Sequence, residues 1–65
     1  MLDKIGFIAG DIYSILEKDG PQTMYSLKKA LDNTKDLVPM GIGWLAREDK
    51  ITFLDTGKTL KISIK

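Results

Sequence analysis

One change of hydrophobic period, close to residue 50, most constrains what this chain can fold into. Val38, Ile42 and Leu45 are spaced as one face of a helix, whereas the residues from Ile51 onward alternate as in a strand. Asp49 lies between the two patterns, and Asp is one of the few residues other than Gly that tolerate a left-handed backbone. We therefore predict a helix that ends at about residue 48 and passes directly into a β-strand.

The first part of the chain has the clearest helical pattern. From Leu2 to Lys18 the apolar residues share one face, and Asp19-Gly20-Pro21 ends the helix because Pro cannot continue the hydrogen-bond ladder. Gly6 and Gly10 lie beside this face, and each costs about 1 kcal/mol relative to Ala in a helix interior. We expect another backbone or a large ring to approach them closely. The predicted buried residues are Leu2, Ile5, Ile8, Ala9, Ile12, Ile15 and Leu16.

A short extended segment and a short helix follow. Gln22-Thr23-Met24 is bounded by Pro21, and its length is that of one small strand. Tyr25 to Asp32 predicts a second helix, and Asp32-Asn33-Thr34 is typical of a turn. The residues expected to face inward from this helix are Leu27, Ala30 and Leu31.

The third helix is predicted at about residues 39–48, and the sequence before it is compatible with an irregular turn from Lys35. Pro39 fits the first helical position and disfavours helical angles at Val38. Gly41 and Gly43 lower the helix propensity, so packing must hold this helix in place. We expect Gly41 to allow a close contact with the core.

Residues 51–54 and 59–64 predict two strands around Asp55-Thr56-Gly57-Lys58. With Thr56-Gly57 as the loop, Phe53 lies opposite Leu60 and Ile51 opposite Ile62, which places both pairs on one face. Three helices and a hairpin, with the small early strand paired to that hairpin, are the arrangement of a winged helix-turn-helix fold. We predict that residues 1–65 form one α+β domain of this class, a three-helix core with a C-terminal two-stranded β-hairpin wing.

Three motifs resemble a known family. The run Ile42-Gly43-Trp44-Leu45-Ala46-Arg47-Glu48, with Ile5-Gly6 and Ala9-Gly10-Asp11-Ile12 in the first helix, is similar to the small stand-alone winged helix-turn-helix family of unknown function. The likeness covers nearly the whole chain, although Val38-Pro39-Met40 replaces a more ordinary helical start. It implies a three-helix core with a hairpin wing, and it implies DNA binding, which is inferred for this family from the fold.

Composition excludes several classes of function. The chain has no Cys and no His, so disulfides, thiolate metal sites and imidazole catalysis are absent. Gly41-Ile42-Gly43 lacks the preceding strand of a dinucleotide site, and Ser14, Ser26 and Ser63 lack an activating base. We predict a protein that is not an enzyme and needs no cofactor, metal or small-molecule substrate. No apolar run approaches the roughly 20 residues that span a bilayer and no signal-peptide pattern is present, so we expect a soluble cytoplasmic protein.

Positive charge is concentrated on the predicted hairpin. The net charge is only +1, yet residues 50–65 hold four lysines against one aspartate. Cations that neutralise phosphates supply most of the affinity of non-specific DNA binding. Mainly on the predicted fold, and with these lysines as support, double-stranded DNA is the predicted partner and transcription regulation the predicted process, while ordinary solvated lysines remain the alternative. The candidate DNA-binding residues are Lys28, Lys29, Lys35, Arg47, Lys58 and Lys61.

A protein interface is the alternative function. Phe7 falls on the polar side of the first helix, and Met40 and Trp44 lie at the edge of the buried face of the third. Aromatic residues and Met are enriched at interfaces. These three residues predict a homodimer contact, with a Trp44 that folds under the wing and closes the core as the competing interpretation.

Overall fold

The fold, in a computed structural model that describes residues 2–65, has the predicted order of helices and strands. Side chains are described from residue 4, so the predicted burial of Leu2 lies outside the described residues. The three strands form an antiparallel sheet in the order β1-β3-β2. This is a winged helix-turn-helix of the α+β class. Its elements are α1 (Leu2–Asp19), β1 (Gln22–Thr23), α2 (Met24–Ala30), a 3₁₀ helix (Asp32–Leu37), α3 (Val38–Arg47), β2 (Ile51–Asp55) and β3 (Leu60–Ile64).

The core lies where α1, α2 and α3 meet one face of the sheet. Gly41 is placed where α3 packs on α1, and a Cβ added there would lie 2.9 Å from Cδ1 of Ile12 and 3.0 Å from Cγ2 of Ile8. Only Gly permits so close an approach, which confirms the prediction for this residue. The buried residues are Ile8, Ala9, Ile12, Leu16, Leu27, Val38, Ile42, Leu45, Ile51 and Ile62.

The end of α3 is the left-handed turn expected at Asp49. This residue has φ 61°, and its N–H donates to the carbonyl of Ala46 at 3.1 Å. The N–H of Lys50 donates to the carbonyl of Leu45 at 3.0 Å. These two bonds make a Schellman motif, which satisfies the last carbonyls of the helix and turns the chain into β2.

The second helix and the segment after it differ from prediction in detail. Helix α2 begins at Met24 because the hydroxyl of Thr23 accepts a hydrogen bond from the N–H of Ser26 at 3.0 Å. It ends at Ala30, since Leu31 leaves the helical region with φ −112° and ψ 45°. Ala30, the last residue of α2, is exposed, so its predicted inward position is wrong. The predicted turn Asp32-Asn33-Thr34 begins the 3₁₀ segment, which is interrupted at Thr34, where φ is −129° and ψ is 22°.

The start of α3 corrects a second prediction. Val38 has φ −58° and ψ −47°, which is helical, and Pro39 is the second residue of α3 and not its first. The preceding Leu37 already has near-helical angles, so α3 continues directly from the 3₁₀ helix. Val38 is fully buried, and this packing outweighs the local steric preference of a residue before proline.

The register of the hairpin corrects a third prediction. Ile51 lies opposite Ile64 and Phe53 opposite Ile62, two residues from the predicted pairing. The loop is Gly57-Lys58, because the N–H of Thr56 donates to the carbonyl of Thr59 at 3.0 Å. Gly57 has φ 86°, and its N–H donates to a carboxylate oxygen of Asp55 at 2.8 Å. A shift of two residues returns every side chain to the same face, so Ile51 and Ile62 are buried as the pattern requires, whereas Phe53 and Leu60 on that face are about half exposed. The predicted pairing of the early strand with the wing is confirmed by the registers Gln22–Ile62 and Thr23–Lys61.

Candidate nucleic-acid interface

The outward face of α3 is poor in groups that read bases. Pro39, Met40 and Gly43 are exposed along its first six residues, and none has a side chain that donates or accepts a conventional hydrogen bond. Base edges in the major groove are read mainly by such hydrogen bonds. Polar groups appear only in the second half of the helix, as the indole N–H of Trp44 and the guanidinium of Arg47. The N-terminal half of α3 is therefore unsuited to direct readout.

Three of the predicted DNA-binding residues meet in one groove beside α2. Lys28 and Lys29 on α2 and Lys35 on the 3₁₀ helix line an open groove of about 320 Å³, together with Tyr25 and Asp32. We call this the lysine groove. Three lysines against one aspartate give it a net charge of +2. All three ammonium groups are on exposed residues, and within residues 4–65 the ion pair that forms is elsewhere, between Lys65 and Asp49.

Tyr25 is a candidate that the sequence patterns did not single out. Its side chain is 74% exposed, and it lines the lysine groove between the first turn of α2 and the 3₁₀ helix. Tyrosine hydroxyls are among the groups that contact phosphates in DNA complexes. The available signal was its spacing, because Tyr25 lies three and four residues before Lys28 and Lys29, on the same side of α2.

The two lysines of the wing lie apart from each other along β3. Lys58 occupies the loop at the tip, and Lys61 is exposed within the strand. Lys61 pairs with Thr23, the residue that caps α2. The sheet therefore brings Lys61 beside the start of the helix that holds two of the groove lysines, whereas Lys58 lies at the far end of the hairpin.

Arg47 is not brought to the lysine groove. It belongs to the last turn of α3 and lines a separate depression with Trp44 and Glu48. The adjacent carboxylate of Glu48 reduces the attraction of this depression for phosphate. The predicted cations thus divide into the lysine groove, the wing and the end of α3.

The predicted partner-binding residues are exposed to different degrees and are not all together. Phe7 is 75% exposed, Met40 50% and Trp44 36%. Trp44 is not part of the buried cluster and lines an open groove with Gly6 and Gly10, whereas Phe7 lines a different groove with the 3₁₀ helix. Among the described residues, no atom lies within 4 Å of a Cβ added to Gly6 or Gly10, outside their own helix. The expected close approach to these glycines is therefore wrong, because the groove beside them stays open.

Two features of the described residues bear on other classes of function. In the part of the chain that the structure describes, no three Asp or Glu side chains are grouped as metal ligands. No helix between residues 2 and 65 is long and apolar enough to cross a membrane.

Comparison with known proteins identifies the family. The family model described as winged helix-turn-helix domain (DUF2582) matches residues 1–64. An uncharacterised protein of Methanocaldococcus jannaschii is 43% identical over 68 residues, an alignment that covers the whole of this chain and 96% of that relative. No solved structure matches the chain. On the family match and this identity, together with the three-helix core and wing described above, the chain belongs to the winged helix-turn-helix domain family DUF2582.

Proposed function

We propose that this protein binds double-stranded DNA through the phosphate backbone and acts in transcriptional regulation. The observation that carries the proposal is the convergence of Lys28, Lys29 and Lys35 on one open groove. The winged helix-turn-helix family adds support, because the fold is common among DNA-binding proteins. In this proposal the three ammonium groups contact phosphates, and the hydroxyl of Tyr25 donates to a further phosphate oxygen.

The wing extends the same contact surface. Lys61 lies next to the start of α2, and Lys58 at the tip reaches a phosphate farther along the duplex. Arg47 serves as a peripheral contact, since Glu48 adjoins it. Five or six such contacts give an affinity that falls steeply with salt, by about 0.9 in the logarithmic slope for each phosphate neutralised.

Low sequence specificity follows from the surface of α3. Its exposed N-terminal part offers Pro39, Met40 and Gly43, which make no hydrogen bonds to base edges through their side chains. A protein that contacts mainly the backbone takes its preference from the shape and deformability of the duplex. We therefore expect affinities for unrelated duplexes of equal length to differ by less than about tenfold, well below the ratio of about a thousand or more that is typical of base-reading regulators.

The test is a fluorescence-anisotropy titration of unrelated duplexes at several salt concentrations. The double variant Lys28→Gln/Lys35→Gln should lower the salt slope by about 2, because two phosphate contacts are lost. The matched control Lys18→Gln/Lys50→Gln removes the same charge from the end of α1 and from the residue after Asp49, and it should leave the slope within about 1 of the wild type. Absence of duplex binding at low salt would refute the proposal. Equal effects of the two double variants would show that the lysine groove is not the DNA-contact surface.

Self-association is a second candidate function, and the exposure of Phe7, Met40 and Trp44 favours it. Side chains of this kind form the centre of many interfaces, where covering them removes apolar surface from water. In this candidate the winged helix acts as a homodimerisation module, with or without DNA. Sedimentation velocity over a range of protein concentrations tests it, and a wild-type chain that stays monomeric at the highest concentration would refute it.

A further inference from the structure

A second groove lies between α1 and the 3₁₀ helix and shares Asp32 and Lys35 with the lysine groove. It has a volume of about 610 Å³ and is lined by Lys4, Phe7 and Ile8 of α1 and by residues 32–37. We call it the Phe7 groove. Ile8 is buried and Leu37 is partly buried against the core, so these two side chains give the groove an apolar lining. Phe7 also lines it, with three quarters of its side chain exposed to water.

The charges around the Phe7 groove are balanced. Lys4 and Lys35 face Asp32 and Asp36, two groups of each sign. Across residues 4–65 none of these four forms an ion pair, because the pair present joins Lys65 to Asp49. Two carboxylates repel phosphate, so nucleic acid is a poor occupant for this groove.

A surface with two charges of each sign and an apolar lining can be complementary to itself. In a two-fold dimer the same patch of each subunit meets its copy, which allows each cation of one patch to lie opposite a carboxylate of the other. An exposed aromatic ring beside an apolar groove also suits such a dimer. Each ring can enter the groove of the other copy and is then removed from water.

We propose that the Phe7 groove is the contact surface of a two-fold homodimer, in which the Phe7 ring of each copy packs into the groove of the other. This inference rests on self-association, the second candidate function. It names the surface through which the two copies associate. The separate groove that Trp44 lines with Gly6 and Gly10 stays outside the contact. Asp32 and Lys35 line both the Phe7 groove and the lysine groove. The dimer therefore places two lysine grooves next to its axis, where Lys28 and Lys29 of each copy stay outside the dimer contact and can reach one duplex.

The first arm of the test compares two apolar truncations by sedimentation velocity at low salt. Phe7→Ala should weaken association about tenfold or more, as expected for an aromatic residue at the centre of an interface. Trp44→Ala is the matched control and should associate as the wild type does. Circular dichroism verifies that both variants are folded, and this is expected for Phe7→Ala because its side chain is mostly exposed.

The second arm uses charge reversal, with two residues that do not line the lysine groove. Lys4→Glu leaves three acidic groups and one basic group around the Phe7 groove, and Asp36→Lys leaves three basic groups and one acidic group. Each variant should be monomeric alone, because like charges then meet across the axis. An equimolar mixture of the two should restore a dimer that contains one copy of each, because the net charges of the two grooves are opposite.

The outcomes separate this inference from the proposals beneath it. A wild-type dimer that is unaffected by Phe7→Ala and by both charge reversals would refute the Phe7 groove as the dimer contact. Self-association would then use another face of the protein. A monomeric wild type would overturn both. Single reversals that abolish the dimer without rescue in the mixture would refute the two-fold charge pairing. If Asp36→Lys left the mass of the dimer unchanged, the dimer assignment would be wrong whatever the effect on DNA affinity, because any cation added near the lysine groove strengthens phosphate binding.

Discussion

The contact between α1 and α3 at Gly41 gives the sharpest test of the fold, through the substitution Gly41→Ala. The added Cβ would lie 2.9 Å from Cδ1 of Ile12, 3.0 Å from Cγ2 of Ile8 and 3.3 Å from the backbone nitrogen of Ala9. Cδ1 of Ile12 ends a flexible side chain but lies in the fully buried core. The branch of Ile8 and the backbone of Ala9 are held by α1 itself, so relief requires the two helices to move apart.

Two opposing effects determine the magnitude of the change. Replacing Gly by Ala within a helix gains about 1 kcal/mol of helix propensity. Overpacking a well-packed core costs about 1–3 kcal/mol, and the upper half of that range applies here because backbone atoms are involved. We therefore expect Gly41→Ala to lower the free energy of unfolding by about 1–2 kcal/mol, or the melting temperature by about 4–8 °C per kcal/mol for a chain of this size.

Gly43→Ala, two residues along the same helix, is the matched control. Gly43 is exposed, and among the described residues an added Cβ there meets no atom within 4 Å. The propensity gain of about 1 kcal/mol should then appear without a penalty. Urea unfolding followed by circular dichroism measures both variants. If Gly41→Ala proved as stable as Gly43→Ala, the close packing of α1 on α3 would be refuted.

Three further stability predictions use the same unfolding assay. Asp49→Ala should lose about 1–2 kcal/mol because Ala bears the full cost of a left-handed backbone, whereas Asp49→Gly should stay within about 0.5 kcal/mol of the wild type. Thr23→Ala should lose about 1 kcal/mol with the N-cap of α2, and Thr23→Ser should retain it; equal losses would show that the hydroxyl does not cap. Gly6→Ala and Gly10→Ala should each gain up to about 1 kcal/mol, and a loss at low protein concentration would show that the groove beside Trp44 is closed in solution.

The hairpin shows why the sequence predicts an architecture more readily than a register. Alternation places Ile51 and Ile62 on the buried face, and both are buried. Registers that differ by two residues bury the same side chains, so the hydrophobic pattern cannot distinguish them. The distinction depends on the turn, where the Asp55 carboxylate accepts from the Gly57 N–H. Val38 illustrates a related limit, since its burial outweighs the preference that Pro39 imposes.

The composition of the candidate site is harder to predict from sequence than the fold, because it depends on how the elements are placed in three dimensions. The helical pattern alone puts Lys28 and Lys29 on the exposed side of α2. Lys35 joins them only because the chain leaves α2 at Leu31 and folds back as a 3₁₀ helix, where a turn was predicted. The separation of Phe7 from Trp44 is also set by packing, because each lines a groove on a different flank of α1.

The distribution of buried residues and cations around α3 bears on how this protein can recognise DNA. Val38, Gly41, Ile42 and Leu45 of this ten-residue helix are buried, and its exposed first half lacks hydrogen-bonding side chains. The core therefore fixes the residues on the inner side of the helix. The outer side of its N-terminal part has no side chain that can hydrogen-bond to bases. The cations lie on the elements around it, at the lysine groove and on the wing. If DNA is bound, these neighbours must supply the affinity. Selectivity must then come from duplex shape or from the spacing of two copies, since backbone contacts alone read no bases.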